Sequence, residues 1–287
     1  MTQQKHTQDW LEQKANDIRE DIIKMLETAG SGHSAGPLGL ADIFTALYFE
    51  VMKYDPRKPN WDARDIFLLS NGHCVPVQYA TMAHAGFFDR KELTTLRAFG
   101  SRLQGHPERT KLPGLENTSG PLGSGLSQAC GMSLAMRMDE TQYKRWIYVV
   151  MGDGEQDEGN VWEAAMLAGK YQLHNIIAFT DRNNIQIDGP TESVMPLEDL
   201  GAKWKAFGWH VIEIDGNNIE AVIDACNMAK AVENKPVMII AHTVPGKGVD
   251  FMEYDFTWHG KPPDHEQAKL ALHELRTLGG KIKGEHE

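Results

Sequence analysis

The clearest chemical pattern in this sequence is an aspartate between two glycines, with an asparagine thirty positions further on. Gly152-Asp153-Gly154 follows the apolar run Ile147–Met151, and Asn183 follows the apolar run Ile176–Thr180. In proteins Mg²⁺ takes oxygen ligands, commonly one or two carboxylates together with phosphate oxygens of a bound molecule. We therefore expect Asp153 and Asn183 to bind a divalent metal ion.

The residues around this pair favour a diphosphate as the second partner of the metal. Gly152 and Gly154 let the main chain turn tightly and approach a bulky anion, and a helix that begins near Gly159 directs free N–H groups to the same region. The turn-like stretch after Asn183 makes the carbonyl of Ile185 available as a third ligand. The same oxygen set would accept Mn²⁺ or Ca²⁺, so the identity of the metal stays open.

Two other interpretations of this pattern compete with a metal site. A Gly-Asp-Gly string alone is also typical of a surface turn, because short motifs occur by chance. A dinucleotide site is the second rival, but it requires a G-x-G-x-x-G string that opens a helix, and the chain contains none. The placement of both polar residues after apolar runs favours the metal site.

Helical patterns alternate with short apolar runs, which predicts an α/β fold with a largely parallel central sheet flanked by helices. The predicted strands are Ile66–Ser70, Ile147–Met151, Ile176–Thr180, Val211–Ile214 and Val237–Ala241. The predicted helices are Leu11–Thr28, Leu38–Met52, Ser124–Met138, Val161–Gly169, Ile219–Glu233 and His265–Leu278. We expect one domain over residues 1–287, with residues 260–287 as its C-terminal helical extension. In such sheets ligands bind at the carboxyl ends of the strands.

Composition excludes several classes of protein. The net charge of −11 argues against a nucleic-acid interface. The sequence has no apolar run of about 18 residues, so we expect no membrane-spanning helix. The first ten residues are polar and do not resemble a secretory signal. Three scattered cysteines, Cys74, Cys130 and Cys226, suggest reduced core thiols and a cytoplasmic protein.

Several strings together resemble the N-terminal half of transketolase, over roughly residues 10 to 260. Besides the Gly-Asp-Gly string and Asn183-Asn184 they are Ser31-Gly32-His33, Leu69–His73, Gly105–Glu108, Thr118–Gly123 and Ile185–Gly189. The resemblance implies a thiamine diphosphate (ThDP) binding fold, specifically its diphosphate-binding domain. It also implies transfer of a two-carbon ketol unit from a ketose or ketose phosphate to an aldose or aldose phosphate.

The resemblance assigns roles to individual residues. It implies a metal held by the side chains of Asp153 and Asn183 and by the carbonyl of Ile185. It implies cofactor contacts from His73, Gly120, Pro121, Leu122, Gly152, Asp153, Gly154, Glu158, Asn183, Ile185 and His259. Glu158 matches a glutamate at the interface that links two active sites in the family, although it is equally typical of the first turn of a helix.

Four histidines are the expected catalytic residues: His33, His73, His106 and His259. Three of the twelve histidines directly follow a glycine, which places them on irregular loops of the kind that carry function. By resemblance the four line the active-site channel. Histidines there suit binding of sugar hydroxyls, stabilisation of the charge on a developing alkoxide, and proton transfer near neutral pH.

The resemblance also implies a missing half. In full-length transketolases a pyrimidine-binding domain follows the present region, so we expect a C-terminal partner subunit that carries it, in a dimer of heterodimers. Two related families remain as alternatives: the α subunit of the first component of a 2-oxo acid dehydrogenase, and a 1-deoxyxylulose-5-phosphate synthase-like enzyme. A scaffold protein that keeps the fold without activity is the alternative outside enzymes.

Overall fold

The computed structural model describes residues 5–139 and 144–285, with side-chain burial given as far as Gly279. The first four residues of the polar N-terminal stretch and the last two of the predicted extension lie outside this part of the chain. No helix within it is long and apolar enough to cross a membrane. The three cysteines are buried and free of disulfides, as predicted.

The centre of the molecule is a sheet of five parallel strands. Its strands are β1 Ile66–Leu69, β2 Ile147–Gly152, β3 Ile176–Arg182, β6 His210–Asp215 and β7 Val237–His242. Two short strands, β4 Ile185–Gln186 and β5 Gly189–Pro190, pair as a separate hairpin. The order across the sheet is β1-β2-β3-β7-β6, and every pair in it is parallel. The predicted fold class and all five predicted strands are confirmed, with ends shifted by one or two residues.

Ten α-helices surround the sheet within the described ranges. They are α1 Gln8–Ala29, α2 Ala35–Gly39, α3 Ala41–Ala46, α4 Val75–His84, α5 Ser124–Met138, α6 Gly159–Tyr171, α7 Thr191–Val194, α8 Leu200–Ala206, α9 Ile219–Lys230 and α10 His265–Glu285. The first begins after the N-cap Thr7, whose hydroxyl accepts from the N–H of Trp10, and is capped at its end by Gly30, which has a left-handed φ of 61°.

Alternate residues of the strands enter two separate apolar cores. On one face Phe67, Tyr148 and Ile177 pack with the apolar sides of α1, α3, α4 and α9. On the other face Leu68 and Val149 pack with α5, α6 and α8. A sheet that is covered on both faces leaves only its edges for loops, and the strand ends of the carboxyl edge are where the polar residues collect.

The predicted helix Leu38–Met52 is wrong as one continuous element. The chain forms α2 and α3 there, followed by a wider π turn at Leu47–Val51. The break falls after Gly39, where a Cβ atom would lie 2.8 Å from the carbonyl oxygen of Val244. Close approach of the loop after β7 therefore requires a glycine, and the helix is interrupted where that loop contacts it.

Helix α4 is absent from the sequence-based prediction for a physical reason. Its residues from Val75 to Ala83 are all buried, so the segment has no polar face and shows no helical periodicity. It starts with a proline in its first turn, which suits a helix N-terminus, directly after the Asn71-Gly72-His73 loop. The terminal helix α10 is confirmed and packs along α1. The division into one domain with a helical extension stays a prediction.

Candidate functional site

A cavity of about 310 Å³ opens at the carboxyl edge of the sheet, between the loops that follow β1, β2 and β3. Its walls hold most of the residues that the sequence predicted as functional. They are His33, Asn71, His73, His106, Gly120, Leu122, Gly152, Asp153, Gly154, Glu155, Asp181, Asn183, Ile185, Gln186, Ile187 and His259.

Asp153 lies at the tip of β2 and is almost completely buried. One carboxylate oxygen accepts a hydrogen bond from the N–H of Gly154 at 2.7 Å. The other accepts from the N–H of Asn184 at 2.8 Å and from Nη1 of Arg182 at 3.1 Å. Burial raises the pKa of this carboxyl group, and the Arg182 charge opposes the shift. The carboxylate is thus fixed in place by Gly154, which follows β2, and by donors at the end of β3 and directly after it.

Asn183 is held with its amide in a defined orientation. Its Nδ2 donates to Oδ2 of Asp181 at 2.8 Å, and its Oδ1 accepts from the N–H of Ile185 at 3.0 Å. Asp181 is fully buried at the end of β3 and accepts a second hydrogen bond from the hydroxyl of Thr243, which follows β7. Burial raises the pKa of Asp181 to about 7, and the nearby Asp153 adds to this.

The donor set fits a divalent cation that also binds a diphosphate. Among the described residues, no group of three or more His, Cys, Asp or Glu side chains could hold a metal. The predicted site is of another kind, because Asp153 would be its single carboxylate beside an amide and a main-chain carbonyl. Within the part of the chain that the structure describes, the Oδ1 atoms of Asp153 and Asn183 each accept one hydrogen bond, which leaves each a lone pair for a metal.

Glu155 joins three of the loops that form the cavity. It is buried, and its carboxylate accepts from the N–H of Gly123 at 2.7 Å, from the N–H of Gly152 at 3.0 Å and from the hydroxyl of Ser70. Burial raises its pKa, and these three hydrogen bonds act in the opposite direction. Its role is to fix the relative positions of the loops after β1 and β2 and the start of α5.

Three imidazole rings face one another at the other end of the cavity. The ring centroids of His33 and His73 are 4.8 Å apart, those of His73 and His259 are 5.2 Å apart, and those of His33 and His259 are 5.6 Å apart. Burial lowers the pKa of His33 to about 4 and that of His73 well below its usual value. The pKa values of His259 and His106 are lowered as well, again mainly by burial. All four rings are therefore neutral at pH 7.

Several polar atoms at this end are buried without a hydrogen-bond partner in the described part of the chain. They include Nδ1 of His33 and Nδ1 of His259. Oδ1 of Asn71 and Nε2 of Gln186 are unpaired as well, but these two residues lie beside Gly152 and Gly154, at the diphosphate end. Buried polar groups in folded proteins are nearly always paired, so these imidazole nitrogens are exceptions to the usual pairing.

The structure brings together all but two of the residues predicted to be functional. Glu158 is exposed at the N-terminal end of α6, and Pro121 is exposed on the loop before α5. Neither of them lines the cavity. Glu155, Asp181 and Arg182 also belong to the site, although the sequence did not predict them. Only their positions next to the Gly-Asp-Gly string and Asn183 could have indicated them, because the pairing partners come from distant strands.

Comparison with known proteins gives the family. Residues 11–277 match the family described as transketolase, thiamine diphosphate binding domain. The chain is 43% identical over 269 residues to the 6-deoxy-6-sulfo-D-fructose transketolase subunit of Clostridium sp. strain MSTE9, covering 94% of this chain and 97% of that protein. It is 42% identical over 276 residues to an apulose-4-phosphate transketolase subunit of Phocaeicola vulgatus, covering 96% of this chain and 97% of that one.

Solved structures agree with this result. A variant of the transketolase of Pichia stipitis superposes with a TM-score of 0.86 at 32% identity, over 96% of this chain and 46% of that chain. The transketolase of Leishmania mexicana gives a TM-score of 0.85 at 34% identity, over 96% of this chain and 45% of that chain. The chain thus spans less than half the length of these transketolases and nearly the full length of the relatives that are named subunits. These matches decide among the families that the sequence left open: the chain belongs to the transketolase family, and it corresponds to its N-terminal, thiamine diphosphate-binding part.

Proposed function

We propose that this chain is the N-terminal subunit of a transketolase that transfers a two-carbon ketol unit from a ketose phosphate to an aldose phosphate, with ThDP and a divalent metal ion. The observation that carries the proposal is the cavity itself. One end supplies a buried carboxylate and an oriented amide, and the other end supplies a cluster of neutral histidines. The first end suits a metal-bound diphosphate, and the second suits a substrate with several hydroxyl groups.

The diphosphate end binds and orients. Asp153, Asn183 and the carbonyl of Ile185 would hold Mg²⁺, or Mn²⁺ or Ca²⁺, and Gly152 and Gly154 leave room for the diphosphate oxygens. At Gly154 a Cβ atom would already lie 3.3 Å from the side chain of Gln186, so a larger residue would narrow the cavity. When bound, ThDP supplies the electron sink that carbon–carbon bond cleavage requires.

The histidine end would hold the sugar. A neutral imidazole has one nitrogen that donates and one that accepts, so His33, His73, His106 and His259 can each bind a hydroxyl group in either sense. Nδ1 of His33 and Nδ1 of His259 are buried and have no hydrogen-bond partner in the described part of the chain. Burial lowers the pKa values of these rings and so makes them weaker bases, which favours their role as hydrogen-bond partners of substrate hydroxyls over proton transfer.

A partner subunit completes the proposed enzyme. The relatives of nearly equal length are named subunits, which supports a second chain, and we propose that it carries the pyrimidine-binding domain in a dimer of heterodimers. Two exposed apolar side chains on the cavity wall, Leu122 and Ile187, suit a covered position in such a complex. We further propose that Glu158 lies at an interface, that residues 1–287 form one domain with residues 260–287 as its extension, and that the enzyme is cytoplasmic.

The substrates proposed here carry an anionic group. The names of the two similar subunits describe a 6-deoxy-6-sulfo sugar and a sugar 4-phosphate. Both are sugars with a terminal anion, and we infer the same class of substrate for this chain.

A reconstitution assay tests the proposal. The chain is purified alone and together with its C-terminal partner, and ketol transfer between a ketose phosphate and an aldose phosphate is measured with ThDP and Mg²⁺. We expect activity from the pair and none from the chain alone. Full activity of the isolated chain, or activity only with a 2-oxo acid and a lipoyl acceptor, would contradict the proposal.

A further inference from the structure

Arg97 lies beside two of the four cavity histidines. A Cβ atom at Gly105 would be 2.8 Å from Cζ of the Arg97 guanidinium, and a Cβ atom at Gly32 would be 3.9 Å from its Nε. These two glycines directly precede His106 and His33. Burial is the largest cause that lowers the pKa of both histidines, and the positive charge of Arg97 is a further cause. The guanidinium group therefore sits at the histidine end of the site.

An open hollow of about 760 Å³ adjoins this end of the cavity. It is lined by three cationic side chains, Arg97, Arg102 and Lys111, and by no aspartate or glutamate. Gly105 and Ser31 form its wall toward the histidines. The chain has a net charge of −11, yet the charged residues that line this hollow are all cationic, which favours an anionic occupant.

The two arginines of the hollow differ in their partners. Arg102 is already bound to Glu92, with Nε and Nη2 donating to its two carboxylate oxygens at 2.8 and 2.7 Å. Arg97 makes one long hydrogen bond, from Nη2 to the carbonyl oxygen of Gly105 at 3.5 Å, and forms no ion pair within residues 5–139 and 144–285. Its donors are therefore available to a ligand.

The backbone at Arg97 is held in an uncommon conformation. Its φ is +61°, in the left-handed region that a non-glycine residue rarely adopts. The N–H of Arg97 donates to the carbonyl oxygen of Leu103 at 2.9 Å, and Leu103 is completely buried. Such strain persists only where the surroundings fix it, and it is concentrated at functional sites.

We propose that Arg97 is a specificity residue that binds the terminal anionic group of the sugar substrate. This inference rests on the proposed function and adds to it a residue of this chain that selects anionic sugars over neutral ones. The planar guanidinium group offers paired N–H donors that match the oxygens of a phosphate or a sulfonate.

The kinetic test compares one ketose with and without its phosphate, in the complex of this chain with its partner subunit. In the wild-type complex kcat/KM should favour the phosphorylated sugar. Arg97→Gln should reduce that preference about tenfold or more, which is the scale of one lost charge-assisted interaction. Arg97→Lys should restore part of it, because the charge remains but the paired donors are lost.

Arg102→Gln is the matched control. It removes the same charge from the same hollow, but Arg102 is engaged by Glu92, so the preference should change by less than about twofold. The proposal is overturned if Arg97→Gln lowers kcat/KM equally for both sugars, if it changes neither, or if Arg102→Gln has the same effect.

A second measurement does not depend on catalysis. Inorganic phosphate is titrated into the full chain, and the ring resonances of His33 and His106 are followed by NMR at pH 6. We expect saturable shifts in the wild type and at least about tenfold weaker binding in Arg97→Gln. Identical titrations of the two proteins would refute the assignment of Arg97. Absence of ketol transfer by the wild-type complex would instead refute the proposed function and leave this titration to decide the role of Arg97.

Discussion

The two ends of the cavity are built in opposite ways. At the diphosphate end both predicted metal-binding side chains already have partners: Asp153 is bound by Arg182 and by main-chain N–H groups, and Asn183 is bound by Asp181. At the histidine end, nitrogens of His33 and His259 are buried with no partner in the described part of the chain. The two predicted metal ligands are thus oriented by this chain itself, whereas the buried imidazole nitrogens at the histidine end are not.

This difference separates two tasks. A metal and a diphosphate stay bound throughout a catalytic cycle. Ligand side chains that are already held in position favour this binding, because they do not have to rearrange when the metal binds. Substrates enter and leave, so the groups that bind them have to exchange partners in every cycle. We therefore expect substitutions at the diphosphate end to weaken binding of the cofactor. Substitutions at the histidine end should change how protonation of the histidines affects the stability of the chain.

The largest expected effect is that of Asp153→Ala. Loss of the single carboxylate should weaken metal-dependent ThDP binding by at least ~100-fold, since removal of groups that merely orient metal ligands already costs about 10–100-fold. Calorimetric titration of the chain with ThDP and Mg²⁺, alone and with its partner, measures this. Glu163→Ala, on the exposed side of α6, is the control and should bind as the wild type does. Retained affinity in Asp153→Ala would place the metal elsewhere.

A somewhat smaller effect is expected at Asp181, which orients Asn183. Asp181→Leu removes the acceptor for Nδ2 of Asn183, so its amide can rotate and metal affinity should fall about 10–100-fold. Asp181→Asn should remain close to the wild type, because its amide can turn its oxygen to Asn183 and its nitrogen to the Thr243 hydroxyl. Mg²⁺ titration in the presence of ThDP checks both, with circular dichroism as the control for folding. Equal affinities of the Leu and Asn variants would contradict the orienting role.

At the histidine end the effect is on pH dependence. Folded His33 has a pKa of about 4, against 6.5 for an ordinary histidine. Between these values the unfolded chain binds more protons than the folded one, so stability decreases as pH falls from 6.5 to 4. His33→Asn should reduce the slope by up to about 1.4 kcal/mol per pH unit. Urea unfolding of the cofactor-free chain across this range measures it, and the exposed His210→Asn serves as control. An unchanged slope would mean that His33 is not kept neutral by burial.

The smallest effect is expected at Glu158, which belongs to neither end of the cavity. Because its side chain is exposed on this chain, Glu158→Gln should alter ThDP affinity of the isolated chain by less than about twofold. The same titration as for Asp153→Ala measures it. A clear loss of affinity in the isolated chain would show that Glu158 contacts the cofactor directly and that the cavity extends further than its described walls.

The sequence predicted the strands and the first ligands because both leave local signals. Short apolar runs mark the buried strands, and Asp153 and Asn183 directly follow the strands that two of these runs form. Helix α4 left no such signal, since a helix buried on all sides has no periodicity. The hydrogen bond from Thr243 to Asp181 joins residues 62 positions apart, and that from Ser70 to Glu155 joins residues 85 apart. Pairings of this range depend on the strand order, which a single sequence does not determine.

The metal site is tested most directly by a crystal structure of this chain with its partner, ThDP and Mn²⁺, in which anomalous scattering locates the metal. We predict one strong peak at the tips of β2 and β3, at about 2.1 Å from the carboxylate of Asp153, Oδ1 of Asn183 and the carbonyl oxygen of Ile185. The diphosphate should lie against the metal, and the reactive end of the coenzyme should point toward His33, His73 and His259. A metal bound away from Asp153 and Asn183, or a coenzyme in the opposite orientation, would contradict this assignment.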